Sequence, residues 1–148
     1  MTPPAHPLED GELLASFVKE AQQYLERMKS ADGLLESGRT ASAEDLNRSA
    51  HALRGASSSL GLHELADGAA AAEMLGEGVA SQRFAWRTEA AQALLSFAAA
   101  AGSYLLGFGD QPPKAAPESL LAASLRLENL AGGGGEADEI GELLRAEA

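Results

Sequence analysis

The sequence contains no cysteine, few cations and no long uninterrupted apolar run. Without cysteine, the chain can form neither a disulfide framework nor a thiolate metal site. Its 11 basic residues against 22 acidic ones give a formal net charge of −11, which argues against nucleic acid or an anionic membrane as the principal partner. At 148 residues the chain is long enough to bury a core without disulfides or metals.

The most apolar segment predicts a core helix rather than a membrane span. Residues 90–106 are mostly alanine and are interrupted by Gln92, Ser96, Gly102 and Ser103. The first seven residues contain three prolines and lack the basic start and apolar run of a signal peptide. We therefore expect a flexible leader over residues 1–7 and a cytoplasmic protein.

Apolar residues recur every three or four positions through most of the chain, which is typical of amphipathic helices. Gly76 and Gly78 are expected to stop the third of these helices. The pattern predicts helices over residues 8–38, 42–61, 63–75 and 81–108. With short links, these predict an all-α fold, an antiparallel four-helix bundle over residues 8–108.

The composition changes after the fourth helix. Residues 109–131 predict a loop followed by a fifth helix that starts at Pro117, and its leucines could pack on the bundle or on another chain. Residues 132–148 predict a glycine-rich hinge, Gly132 to Gly135, and a short acidic helix. The extra C-terminal helices would then be additions to a four-helix core.

The strongest chemical pattern begins at His51. On a helical wheel this residue lies away from a stripe that is predicted to be buried, formed by Leu46, Ala50, Leu53, Ser57 and Leu60. Arg54 is placed to neutralise a phosphoryl group held on the imidazole. Gly55 costs the helix about 1 kcal/mol relative to alanine, and we interpret it as steric clearance for a partner surface. Ser58 is a further candidate for contact with phosphate.

The pattern His-x-Leu-Arg-Gly-x-Ser-x-x-Leu-Gly resembles the phosphoacceptor helix of histidine-containing phosphotransfer (HPt) domains, including those at the front of chemotaxis-type histidine kinases. Leu65, Ala66 and Glu73 match a Leu-Ala pair and a Glu on the next helix of such domains, and the resemblance covers residues 8–107. It implies that Glu73 orients His51 through Nδ1 and leaves Nε2 to accept a phosphoryl group. Arg54, where the family more often has lysine, would stabilise that group.

The resemblance implies a phosphocarrier rather than an enzyme. His51 would accept a phosphoryl group from a receiver aspartate or a histidine kinase and pass it to a response-regulator receiver domain. The sequence has no glycine-rich nucleotide motif and no carboxylate cage for a metal. We therefore expect no cofactor, with Mg²⁺ supplied only by the partner. The partner is expected to dock on the exposed side of the His51 helix and part of the first helix, with no nucleic acid or membrane involved.

Other interpretations of the sequence stay open. The chain could be a helical scaffold or dimerisation module with a vestigial histidine, or the N-terminal part of a longer kinase. A monomer is favoured slightly, although the alanine-rich fourth helix could also pack against a second copy. His63 and Glu64 resemble the start of a zinc helix, but Asp67 occupies the place of the second histidine. We interpret His63 as a residue that opens a helix.

Overall fold

A computed structural model describes residues 11–36, 41–81, 86–108 and 115–147, with side chains in 11–31, 43–81, 86–108 and 115–132. This part of the chain forms five α-helices: α1 (Gly11–Glu36), α2 (Ala41–Ser59), α3 (His63–Ala80), α4 (Thr88–Leu106) and α5 (Glu118–Glu147). The prediction of an all-α helical bundle is confirmed. The predicted leader, residues 1–7, lies outside the described residues.

The fifth helix is an integral part of the bundle. Helix α2 packs between α1 and α3, and α1 also packs against α4. Helix α5 lies between α3 and α4, which barely touch each other. Its Leu120 and Leu127 are completely buried. The extra C-terminal helix therefore packs into the bundle, and the helices follow one another around the core in the order α1, α2, α3, α5, α4.

The predicted buried stripe of α2 faces the core. Leu46, Ala50, Leu53 and Ser57 are completely buried and Leu60 is nearly so. Each fully buried leucine stabilises the fold by about 1.5–3 kcal/mol, so this stripe fixes how α2 is rotated. The opposite face of α2, which carries His51, is consequently turned to solvent.

The end of α2 is set by Gly61. Its φ of 75° is one that residues with a side chain rarely adopt. The Gly61 N–H donates to the Ser58 carbonyl at 3.0 Å, and the Leu62 N–H donates to the Ser57 carbonyl at 2.9 Å. This Schellman motif satisfies the last carbonyls of α2 and turns the chain directly into α3.

The prediction that Gly76 and Gly78 end the third helix is wrong, because α3 continues to Ala80. Both glycines are buried. A Cβ at position 76 would lie 2.9 Å from the Asn47 backbone nitrogen and 3.0 Å from the Ala43 carbonyl oxygen. Gly76 is therefore a contact point between the backbones of α2 and α3, and tertiary packing offsets the weak helix propensity of glycine.

Helix α4 begins later than predicted. The Ser81 N–H donates to the Glu77 carbonyl at 2.9 Å, so Ser81 closes α3 instead of opening α4. The backbone at Arg87 is extended, with φ −119° and ψ 156°, and α4 begins at Thr88. The prediction that residues 90–106 form a core helix is confirmed, because Ala91, Leu94, Ala98, Ala101 and Leu105 are all buried.

The backbone of α5 also differs from the prediction. It is helical from Glu118 to Glu147 and continues through residues 132–135, where the glycine run predicts a hinge. Glycine weakens a helix by about 1 kcal/mol per residue but does not forbid its backbone angles. None of the described helices combines the length and the apolar character that a bilayer crossing needs.

Replacing either of two helical glycines by alanine should change the free energy of unfolding, in opposite directions. A Cβ at Gly68 of α3 would lie 2.2 Å from the buried Phe97 ring and 2.6 Å from Ser124 Oγ, whereas a Cβ at Gly102 of α4 would meet nothing within 4 Å. We expect Gly68→Ala to lower the free energy of unfolding by about 1–3 kcal/mol through overpacking. Gly102→Ala should raise it by up to about 1 kcal/mol. Urea denaturation measures both, and equal stabilities would contradict the packing.

Candidate functional site

His51 lies on the solvent side of α2. Its neighbours Ala50 and Leu53 are completely buried, whereas 63% of the His51 side chain is exposed. Within the described part of the chain, its hydrogen-bond and ion-pair contacts are all made through Nδ1. The other ring nitrogen, Nε2, is therefore directed away from the protein's own polar groups and is open to an incoming molecule.

Glu73 brings a carboxylate to His51 from the neighbouring helix α3. Glu73 Oε1 lies 2.8 Å from His51 Nδ1, and only 17% of the Glu73 side chain is exposed. An ionised carboxylate can only accept a hydrogen bond, so Nδ1 must be the donor and must carry the proton. In the neutral ring, Nε2 then keeps its lone pair.

Arg54 lies one turn after His51 and contacts the same carboxylate. Its Nη1 lies 3.1 Å from Glu73 Oε2, and its Nη2 lies 3.4 Å from His51 Nδ1. Because Nδ1 donates to Glu73, the arginine cannot also donate to that nitrogen. Glu73 Oε2 is buried and has no aligned hydrogen-bond partner within the described residues, so the contact with Arg54 is an ion pair. The Arg54 guanidinium therefore contacts Glu73 and does not contact Nε2 of His51.

Gly55 lies next to this cluster, and no contact within the described part of the protein requires a glycine at this position. It is exposed, and a Cβ added to it would meet nothing within 4 Å. Its helical conformation requires no glycine either. The space beside His51 is thus left open toward solvent.

The serines near the end of α2 are not part of the cluster. Ser58 is exposed on the same face as His51, but two turns away, about 10 Å along the helix axis. Ser57 is completely buried, as its position on the stripe predicts. Ser59 donates its hydroxyl to the Gly55 carbonyl at 2.9 Å. The structure therefore brings together His51, Glu73 and Arg54, but does not bring Ser58 to them.

The remaining histidines do not form a second site in the described part of the chain. His63 is the first residue of α3 and is exposed, in agreement with its interpretation as a helix-start residue. His6 lies outside the described residues. Among the residues that the structure describes, no three His, Cys, Asp or Glu side chains are grouped in a way that could hold a metal ion.

Two residues that sequence reasoning missed also belong to the site. Asn47 Nδ2 donates to the backbone carbonyl of Glu73 at 2.9 Å, and Gly76 lies directly against the backbone of Asn47. The apolar period of α3 could have revealed Gly76, because it continues the buried stripe of Leu65, Ala69 and Ala72. The sequence offers no comparable signal for Asn47.

The fold and the site together define a class: a helical-bundle protein that presents one oriented histidine on its surface. The chain matches the family model described as Hpt domain over residues 12–103. Because this match covers more than half of the chain, the protein belongs to the Hpt-domain family. No curated protein and no solved structure matches the chain.

The family match indicates the kind of process in which proteins of this type take part. Hpt domains are phosphocarrier modules that interact with receiver domains and kinases in phosphorelays. The matched segment contains both His51 and Glu73 and ends within α4. The family match thus covers the site but not α5, which contributes to the core.

The geometry predicts the proton position on His51. The Nδ1–H tautomer should dominate in the neutral ring, because a hydrogen bond to a charged acceptor stabilises it by about 1.5–3 kcal/mol. Glu73→Gln should reduce the ratio of Nδ1–H to Nε2–H tautomer roughly tenfold or more. Long-range ¹H–¹⁵N NMR of the imidazole measures this ratio. The control Asp67→Asn, an exposed residue of the same helix, should leave it unchanged, and an unchanged ratio in Glu73→Gln would contradict the assignment.

Proposed function

We propose that this protein is a phosphorelay carrier in which Nε2 of His51 accepts a phosphoryl group from, and returns it to, an aspartate of a receiver domain. The observation that supports this proposal best is the 2.8 Å contact between His51 Nδ1 and Glu73 Oε1 on a side chain that is 63% exposed. A proton held at Nδ1 keeps the nucleophilic lone pair at Nε2. An exposed position makes that lone pair accessible to another protein.

The transfer needs only groups that the chain and its partner supply. The Nε2 lone pair attacks the phosphorus of an aspartyl phosphate, the N–P bond forms, and the P–O bond to the aspartate breaks with its electron pair leaving on the carboxylate. The proton at Nδ1 stays on the ring, so the phosphorylated imidazole carries a positive charge. Glu73, on the other side of that proton, stabilises this charge.

Arg54 would act after the phosphoryl group arrives. Its guanidinium is 43% exposed and contacts Glu73 through one ion pair. We expect Arg54 to turn toward a phosphoryl group on Nε2, because the charge-assisted hydrogen bonds to that group would replace the ion pair with Glu73. Mg²⁺ and most of the electrostatic catalysis would come from the receiver or kinase.

The partner would dock over the exposed face of α2 and the adjoining part of α1. A groove of about 600 Å³ lies between these two helices, next to His51 in the chain, and its walls include Tyr24, Arg27, Arg48 and Ala52. The Tyr24 hydroxyl donates to Glu20, and this hydrogen bond raises the pKa of Tyr24. Glu26 and Asp45 also line the groove, and Asp45 pairs with Arg48 at 2.7 Å, so the two cations are balanced by two carboxylates. The groove therefore offers an aromatic ring and charges of both signs to a partner.

Replacing His51 tests the proposed acceptor. After incubation with a phosphorylated receiver or an active kinase, mass spectrometry under conditions that avoid acid should find one phosphoryl group on the wild-type chain. His51→Gln should carry none, because glutamine has no nucleophilic lone pair at that position. A label that persists in His51→Gln would exclude this site, and a wild-type chain that no receiver or kinase labels would favour the scaffold alternative.

Gly55 tests whether the open space serves a partner protein. Gly55→Leu should fold normally, because its Cβ meets nothing, but its side chain should obstruct a docked receiver. We expect phosphotransfer from a receiver to slow at least tenfold, equivalent to about 1.4 kcal/mol. Phosphorylation by phosphoramidate, a small phosphodonor, should keep its wild-type rate. Equal losses with both donors would show that the substitution damages the histidine rather than the docking surface.

A further inference from the structure

The hydrogen bond between His51 and Glu73 joins two different helices. Its 2.8 Å length leaves little tolerance, because hydrogen bonds weaken as the donor–acceptor distance exceeds about 3.2 Å. Neither side chain can correct a large displacement without leaving a favoured rotamer. The relative position of α2 and α3 near His51 must therefore be fixed to within a few tenths of an ångström.

Asn47 provides one restraint on that position. It lies one turn before His51 on α2, and its Nδ2 donates to the backbone carbonyl of Glu73 at 2.9 Å. A backbone carbonyl has two lone pairs, so Glu73 can accept this bond in addition to its bond within α3. The helix that carries the imidazole thus binds the backbone of the very residue that orients the imidazole.

Gly76 provides a second restraint, one turn after Glu73. A Cβ there would lie 2.9 Å from the nitrogen and 3.2 Å from the Cα of Asn47, and 3.0 Å from the Ala43 carbonyl oxygen. All three are backbone atoms, which cannot rotate out of the way. Any side chain at position 76 would therefore separate α2 from α3 by several tenths of an ångström.

We infer that Asn47 and Gly76 form a clamp between α2 and α3 that positions Glu73 on Nδ1 of His51, and so sets the tautomer of the reactive imidazole. Both are positioning residues, since neither touches Nε2 or the incoming phosphoryl group. As a statement about reactivity, this inference rests on the proposed function. As a statement about the tautomer, it can be measured on the isolated protein.

The test measures the His51 tautomer ratio by long-range ¹H–¹⁵N NMR in the absence of any phosphodonor. Asn47→Ala should reduce the ratio of Nδ1–H to Nε2–H about fivefold, the factor that one ordinary hydrogen bond contributes. Gly76→Ala should shift it in the same direction. Gly102→Ala, a helical glycine whose Cβ would meet nothing within 4 Å, is the matched control and should leave the ratio unchanged.

A double variant separates positioning from general damage to the fold. In the Glu73→Gln background, Asn47→Ala should cause no further shift, because the clamp acts through the carboxylate. The inference is overturned if Asn47→Ala keeps the wild-type ratio, or if it shifts the ratio equally with and without Glu73. Asn47→Ala keeps the helix propensity of α2 high, so this variant stays informative even if Gly76→Ala does not fold.

The same proteins distinguish the failure of the clamp from the failure of the proposed function. If Asn47→Ala shifts the tautomer but the wild-type chain accepts no phosphoryl group from any receiver or kinase, the clamp stands and the proposed function fails. If the wild-type chain is phosphorylated on His51 while Asn47→Ala keeps the wild-type tautomer, the function stands and the clamp fails.

Discussion

The contact between a carboxylate on α3 and an imidazole on α2 is the interaction on which the site depends. Glu73 Oε1 and His51 Nδ1 are 2.8 Å apart, and this single hydrogen bond decides which ring nitrogen holds the proton. The chemistry of the exposed nitrogen follows from it, because a histidine nucleophile needs a free lone pair. Arg54 contacts the same carboxylate at 3.1 Å, so the acid, the base and the cation form one cluster.

Packing between the helices of the bundle fixes the position of that cluster. The buried stripe of α2 sets the rotation of the helix, and its outer face presents His51 to solvent. The contact at Gly76 sets how close α3 lies. Helix α5 fills the place between α3 and α4, with Ser124 against Gly68, so the far side of α3 is also supported. The packed helices thus lie on one side of His51, and solvent lies on the other.

Much of this arrangement could be predicted from sequence, for physical reasons. The burial of Leu46, Leu53 and Ser57 follows from a period of 3.6 residues, and an outward-facing His51 follows from the same period. The partnership with Glu73 came from a resemblance, because no periodic rule connects residues 22 positions apart. The structure shows that pair in contact; the role assigned to each of its members is part of the proposed function.

Other features could not be predicted, because they depend on how helices meet. In the sequence, Gly76 is typical of a residue that ends a helix. In the structure it lies against the backbone of α2, where only glycine fits. Asn47 is an ordinary polar residue in sequence, and only the position of α3 reveals its hydrogen bond. The sequence left the packing partner of α5 undetermined for the same reason, because its leucines could pack on this bundle or on another chain. Local rules identify the helices, and tertiary contacts decide what each glycine and amide does.

In the proposed function, Nε2 of His51 is the atom that receives the phosphoryl group. The most direct measurement is long-range ¹H–¹⁵N NMR of the chain, labelled with ¹⁵N at histidine and phosphorylated by a receiver domain, because the ring couplings identify the nitrogen bonded to phosphorus. We expect phosphorus on Nε2, with Nδ1 still protonated against Glu73. Phosphorus on Nδ1, or on any residue other than His51, would contradict it.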